Sequence, residues 1–277
     1  MLRGRLPDFL IIGAMRSGTT SLARYLGLHP SVYVAPKKEL HFFDRDFDLG
    51  LDHYRQQFSR AGEDQSAGEA TQTYLYDVTA LDRIAATLPD VRLIAILRNP
   101  VDRAYSHYWQ KRAYGNEPLS FAAAVSAEAE RLRSAGMDDR FRYSYLDRGR
   151  YVEQLQRVVE RFPRTALHVL LFEDLRDAPH DTYRDVCRFL QVNADVTPAN
   201  IGERLNPFVT FRSRTLRRAT RRFPPRLRSA VGRINARKVE YEPLDPVLRA
   251  ELVDYFAAPN AALAAWLDRD LRAWTSA

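Results

Sequence analysis

Apolar and polar positions fall along the chain in blocks that alternate between strand-like runs and helix-like repeats. Phe9 to Ile12 is a run of four apolar residues closed by Gly13, which predicts a buried strand. Small and polar residues follow to Ser21, and then Leu22, Tyr25, Leu26 and Leu28 recur at helical spacing until His29-Pro30-Ser31. Val32 to Val34 reads as a short extended segment, Asp52 to Phe58 as a short helix, and Ala67 to Tyr74 as a strand with its exit loop. Asp77 to Leu88 places Val78, Leu81, Ile84, Ala85 and Leu88 on one helical face. Val91 to Leu97 is apolar except for Arg92, as expected of a central parallel strand. Pro100 is suited to a first helical position, and the helix it opens carries Val101, Ala104, Tyr105 and Tyr108 inward. Leu119 to Leu132 reads as one amphipathic helix, and Tyr151 to Phe162 as a strong one. Leu167 to Phe172 is a further strand, Asp181 to Leu190 a core helix, and Leu248 to Ala257 and Ala261 to Trp274 two closing helices. Strands alternating with helices predict an α/β fold: a P-loop-type central parallel β-sheet flanked by helices, in a single domain over 7–274.

The turn after the first strand carries the chemistry. Gly13 and Gly18 are separated by four residues, the Walker A spacing, but Thr19 occupies the lysine position of a P-loop nucleoside triphosphatase. A loop of this shape directs backbone N–H groups toward one point, and the helix beginning near Gly18 adds its free amides and positive dipole end. The result suits a phosphate. Arg16 adds a full charge, and Ser17, Thr19, Thr20 and Ser21 add hydroxyls. Further on, Glu39 and His41 lie two apart in a stretch read as extended, so both project to one face above Leu40 and Phe42-Phe43. A solvated loop with one core histidine is the plainer alternative. Arg98, at the carboxyl end of a strand, and Ser106, two turns into the next helix, can converge on one anion. A salt bridge or a helix cap would equally explain Arg98-Asn99-Pro100.

These segments resemble a known family. GAMRSGTTSLARYLGLHPSVYVAPKKELHFFD is similar to the start of the PAPS-dependent sulfotransferases, most of all the branch holding the heparan sulfate sulfotransferases and their bacterial relatives. LIAILRNPVDRAYSHY, Leu93 to Tyr108, resembles the family's second motif. The resemblance implies 3′-phosphoadenosine-5′-phosphosulfate (PAPS) as co-substrate and PAP as product. Arg16, Ser17, Gly18, Thr19, Thr20 and Ser21 would then hold the 5′-phosphosulfate, and Arg98 and Ser106 the 3′-phosphate. Glu39 would be the catalytic base, His41 its partner, and Arg16 the group that meets charge on the bridging oxygen. Arg237 aligns with a lysine of a nucleotide-covering loop whose glycine and arginine are absent here. Ala70 stands where the heparan enzymes place a lysine. Glu173-Asp174-Leu175 matches a structural hallmark of the family.

Composition narrows the picture further. The net charge of +7 is uneven: Arg212 to Lys238 holds eleven basic residues and no acidic one, and subtracting that +11 leaves −4 elsewhere. A solvated helical face, a phosphate-backbone or membrane patch, and a border of the donor pocket all fit that segment. The single cysteine, Cys187, excludes an internal disulfide, and the six histidines lack metal-binding spacing, so no metal is expected. No apolar run reaches the roughly 20 residues of a membrane span, and the apolar segment after Arg5 is too short for a secretory signal. The expectation is a cytoplasmic, bacterial enzyme acting on a small-molecule, lipid or carbohydrate acceptor, without nucleic acid. Ser134 to Arg148 reads as a flexible lid, an acceptor-contacting loop or a plain surface loop. The rival readings are a P-loop kinase, which lacks its lysine and an aspartate after Leu97, and a non-catalytic phosphate- or nucleic-acid-binding module, which leaves Glu39 and His41 idle.

Overall fold

The structure, a computed structural model, describes residues 4–134, 136–198, 201–202, 209–211, 231, 236–238 and 241–275. Five parallel strands form the central sheet: β1 (Phe9–Gly13), β2 (Val32–Val34), β3 (Ser66–Ala70), β4 (Arg92–Leu97) and β5 (Leu167–Leu171), in the order β2-β3-β1-β4-β5. From β1 the chain runs outward to β2, returns to β3, and then crosses to the other side of β1 to lay down β4. The order therefore reverses between β1 and β4. In an open parallel sheet, the crevice at the carboxyl ends of that strand pair is where ligands bind.

Alternation along the central strands divides the core. Leu10 and Ile12 of β1, with Leu93, Ala95 and Leu97 of β4, face one side, against Phe42, Phe43, Tyr54 and the helices α3 (Val78–Thr87) and α8 (Tyr151–Val159). Phe9 and Ile11, with Ile94 and Ile96, face the other, against α1 (Thr19–Leu26) and α10 (Pro179–Leu190), where Cys187 is a buried free thiol. A third apolar cluster joins α4 (Pro100–Ala113) to α5 (Phe121–Ser126) and to α11 (Pro246–Leu267). The remaining helices are α2 (Leu51–Gln56), α6 (Glu128–Ser134), α7 (Met137–Tyr143) and α9 (Phe172–Asp177). A small antiparallel pair, β6 (Val209–Phe211) and β7 (Ala236–Lys238), lies outside the main sheet.

Three sequence expectations are corrected. Leu119 to Leu132 is not one helix: α5 and α6 are separated at Ala127. The buried Glu128 carboxylate there accepts the amides of Leu146 at 2.7 Å and Asp147 at 2.8 Å. The 134–148 stretch, read as a flexible lid or a loop, includes the helix Met137–Tyr143 and is packed against its neighbours. Among its described residues, Arg103 on α4 donates to the Tyr145 carbonyl, and Arg148 donates to Ser144 Oγ at 2.7 Å while lying 4.4 Å over the Tyr76 ring. The two expected closing helices are one as far as Leu267, running through Pro259, because its buried face is shared: Leu252, Val253 and Phe256 pack toward α4 while Leu263 reaches the sheet core; Arg272–Trp274 is a separate 3₁₀ turn.

Candidate active site

The loop from Ala14 to Gly18 leaves β1 at the strand pair where the order reverses. Gly18 caps α1 in the left-handed region, with φ +94°. A Cβ there would meet the Phe172 ring at 3.1 Å, so only glycine closes this turn without strain. The amides of Ser21 and Leu22 both turn back to the Gly18 carbonyl. Those of Gly18, Thr19 and Thr20 find no acceptor among the described residues, as first-turn amides do not. The Ser17 hydroxyl is buried and has no hydrogen-bond partner. These are donors arranged around a point that the protein itself does not fill.

Two guanidinium groups border the same point. Arg16 Nε donates to Ser106 Oγ at 3.0 Å, and Arg98 Nη1 donates to the Arg16 carbonyl at 3.2 Å, so Arg16 lies between Arg98 and Ser106, which were expected to share one anion. Asn99 caps α4 by accepting the amides of Val101 and Asp102, and Pro100 takes the first turn, as the sequence predicts. Among the described residues Arg98 has no salt-bridge partner, and it lies 4.8 Å over the Phe172 ring. Among the described residues, neither Arg16 nor Arg98 is ion-paired with a carboxylate. Burial and then the neighbouring Arg98 lower the Arg16 pKa. Two cations side by side, neither ion-paired among the described residues, favour an anion between them.

The acid–base group lies across the loop. The segment before Phe42 is not extended: Glu39 and His41 have φ +54° and +56°, so strand alternation is not what pairs them. Left-handed backbone at both residues brings the side chains together, with His41 Nε2 3.4 Å from Glu39 Oε2. On its other side, His41 Nδ1 is 2.9 Å from Asp44 Oδ2, which also accepts from Thr73 Oγ1 at 2.6 Å. The imidazole is thus held between two carboxylates. Burial pushes its pKa down, but hydrogen bonds to Asp44 and Glu39 outweigh that and raise it to about 9. Burial pushes the Glu39 carboxyl up, yet the bond to His41 and the nearby Lys38 hold it below the usual carboxylate range. At neutral pH the site is a carboxylate, an imidazolium and a carboxylate in a row.

Gln72 ties the two halves together. Its Nε2 donates to Glu39 Oε1 at 2.7 Å, and its Oε1 accepts the Arg16 amide at 3.4 Å. Beneath, the buried Glu69 carboxylate accepts from Tyr54, Tyr74 and Thr71 hydroxyls at 3.1, 3.0 and 2.5 Å, and from the Leu40 amide. Thr71 Oγ1 in turn accepts the His41 amide at 3.4 Å. Asp44, Gln72 and this Glu69–Thr71 support are absent from the sequence-level site. Asp44 left one signal: an acid three residues after a histidine that needs an orienting acceptor. Lys111 on α4 was also missed. Burial, and then Arg148, Arg142 and Arg45, lower its pKa to about 8, with Glu39 acting in the opposite direction.

The hallmark Glu173-Asp174-Leu175 is structural: Glu173 accepts the Asn99 amide at 3.1 Å, Asp174 pairs with Arg269 at 2.9 Å, and Leu175 is buried. Arg237 lies on β7 opposite Thr210, and its side chain, like most of 212–238, lies outside the described residues. The segment after it is placed: the Glu242 carbonyl accepts from Tyr105 at 2.8 Å, and Tyr241 stacks on Trp109 at 5.9 Å. Among the described residues no group of three or more His, Cys, Asp or Glu is placed to hold a metal ion, and no helix is long and apolar enough to cross a membrane.

Comparison with known proteins gives a consistent picture. A family model described as "Sulfotransferase domain" matches residues 6–213. Mouse (Mus musculus) heparan sulfate glucosamine 3-O-sulfotransferase 3A1 is 34% identical over 193 residues, 70% of this chain and 48% of that protein. Human (Homo sapiens) bifunctional heparan sulfate N-deacetylase/N-sulfotransferase 2 is 30% identical over 285 residues, 96% of this chain and 30% of that protein. The chain thus spans about half the length, or less, of these curated relatives. The crystal structure of a sulfotransferase from Alicyclobacillus acidocaldarius superposes with a TM-score of 0.75 at 30% identity, covering 98% of this chain and 100% of that one.

Proposed function

The chain belongs to the sulfotransferase family, and from that premise we propose that it moves a sulfuryl group from PAPS to a hydroxyl or amine of its acceptor and releases PAP. The observation that carries this reading is the joining of the two half-sites by Gln72. An anion cradle with unfilled donors stands on one side of that residue, and an ionised carboxylate backed by an imidazolium stands on the other.

The cradle fits the donor. The amides of Gly18, Thr19 and Thr20, with the Ser17 and Ser21 hydroxyls, would take the 5′-phosphate end, and Arg98 and Ser106 the 3′-phosphate. Arg237 is assigned to the cover of the nucleotide by alignment alone. In the transfer, a bond forms between the acceptor atom and sulfur while the bond from sulfur to the bridging oxygen breaks. The acceptor proton passes to Glu39, and Arg16 meets the charge left on the phosphate. Gln72 donates to one Glu39 oxygen and His41 pairs with the other, and a carboxylate oxygen can accept more than one hydrogen bond. A carboxylate held this firmly is a weak base in the ground state. It takes the proton once the new bond to sulfur has made the acceptor acidic, which suits a loose transition state of the kind found in phosphoryl transfer. Positioning and electrostatics carry the reaction, and the cationic charge comes from arginine without a metal.

Small-molecule, lipid and carbohydrate acceptors are all open to this site, and the relatives named for heparan sulfate represent the carbohydrate case. The bacterial neighbour, matched over its whole length, favours a bacterial enzyme, and with it goes the expectation of a cytoplasmic one. We take 7–274 as one catalytic domain. Calorimetric titration with PAP in the absence of metal, with ADP as control, tests the reading. Tight PAP and weak ADP binding is the expected result. Equal binding, or binding that needs Mg²⁺, returns the site to a nucleotide kinase.

A further inference from the structure

A cleft of about 210 Å³ opens beside Glu39, between α1 and the segment that follows β2. Thr19 and Thr20 of the anion cradle line it, so it touches both the donor end and the base. If the sulfuryl-transfer reading holds, on which this inference rests, the cleft is where the acceptor must lie. Its lining is divided. Beyond Thr19, Thr20 and Glu39, the buried and half-buried part is apolar, made by Ala23, Val34, Ala35 and Ala70. The exposed part is Pro36 and three cations, Arg24, Lys37 and Lys38. Lys38 is 3.9 Å from Glu39, whereas Arg24 and Lys37 have no carboxylate partner among the described residues. Apart from Glu39, no lining residue is acidic.

We propose that the acceptor is a hydroxyl-bearing organic acid with a short apolar body. Its hydroxyl meets Glu39, its carbon body rests on Ala23, Val34, Ala35 and Ala70, and its anionic group reaches Arg24 and Lys37. Two physical arguments weigh against a long sugar chain seated wholly within this cleft. Its volume is below the roughly 300–1,000 Å³ of pockets that enclose drug-sized ligands. Its apolar wall would also leave the hydroxyls of a sugar without partners, which costs free energy once water is excluded. The basic rim selects in the other direction, because a neutral alcohol of the same shape gains nothing from Arg24 and Lys37.

The test uses the full chain with saturating PAPS and a series of ω-hydroxy acids of three to ten carbons, each paired with its methyl ester. N-sulfated heparosan is run alongside, and product is read by mass spectrometry. The acids are expected to show KM values roughly tenfold below their esters at low ionic strength, a preference that shrinks as salt screens it. Arg24→Glu should erase the preference for the acid, and Arg24→Gln should reduce it by about half on a logarithmic scale. PAP titration of each variant reports separately on the donor site. Esters used as well as acids, an acid preference untouched in both variants, or turnover of heparosan but of no hydroxy acid would each overturn the proposal. PAP binding without turnover of any acid overturns the acceptor class alone. Absence of PAP binding overturns the donor reading with it.

Discussion

Asp44→Asn isolates the charge that holds His41. The His41 pKa stands at about 9 against an ordinary 6.5. That difference corresponds to roughly 3 kcal/mol in favour of the imidazolium, gained in spite of partial burial and shared between two carboxylates. Asp44 is the closer, at 2.9 Å against 3.4 Å for Glu39, and its side chain is fully buried, so little solvent screens it. Asparagine keeps the shape and an oxygen for Thr73 and for His41 Nδ1 but removes the charge. More than half of the stabilisation should go with it, bringing His41 to roughly 7. Because the folded pKa is raised, the contribution of this pairing to stability is complete below pH 6.5 and is lost as pH rises through about 9. In the variant, the loss should run through roughly pH 7. The same protonation backs Glu39, so the alkaline limb of kcat/KM should move down by about two pH units. The assay is the NMR titration of the His41 ring, assigned by its disappearance in His41→Gln, run beside the pH–rate profile. If the ring of Asp44→Asn still titrates near 9, Asp44 does not hold the charge and the reasoning fails.

Other substitutions probe the remaining parts. Glu39→Gln should lower kcat by about 10²–10⁴-fold with PAP affinity unchanged by calorimetry; normal turnover would remove Glu39 from the base role. Arg98→Ala should weaken PAP binding by roughly 10- to 100-fold, the worth of a charge-assisted hydrogen bond, and should affect kcat less; equal losses in both would place Arg98 at the reacting end. Gly18→Ala must accept φ +94° and a contact at 3.1 Å with Phe172. It should cost about 1–2 kcal/mol and lower Tm by roughly 2–8 °C in a chain of this size, as calorimetric melting would show.

What was legible in the sequence was local. The apolar run, the Gly13-to-Gly18 spacing and the helical repeat after it are consecutive, so β1, the loop and α1 were readable, as were the Asn99 cap and Pro100 of α4. The illegible parts depend on partners far along the chain. Nothing near Glu128 indicates that its carboxylate accepts two amides from 146–147, and so α5 and α6 looked continuous. Pro259 marks a helix boundary by its own chemistry, yet apolar contacts on both sides of it keep α11 whole. Gln72 looks like a polar residue in an exit loop. Its importance comes from parallel pairing, which sets the end of β3 beside β1 and so places one amide side chain against both Arg16 and Glu39.

The point at which strand alternation failed is also where the backbone is most constrained. Among the described residues, five other than glycine have positive φ: Arg16, Glu39, His41, Gln191 and Asp268. The last two are the residues that close α10 and α11, where a left-handed cap is an ordinary way to end a helix. Arg16, Glu39 and His41 close no helix. Each such conformation costs on the order of 1–3 kcal/mol and persists only where its surroundings fix it. Here they do: Gln72 accepts the Arg16 amide, Thr71 accepts the His41 amide, and Glu69 holds Thr71 from below while taking the Leu40 amide between the two strained residues. Glu69 is 1% exposed and serves three hydroxyls and an amide, so it cannot also face a ligand. Its work is to hold the backbone that aims Glu39 and His41. The strain therefore lies where the side chains must converge from one short segment, and the buried polar support that maintains it makes that convergence a fixed property of the fold.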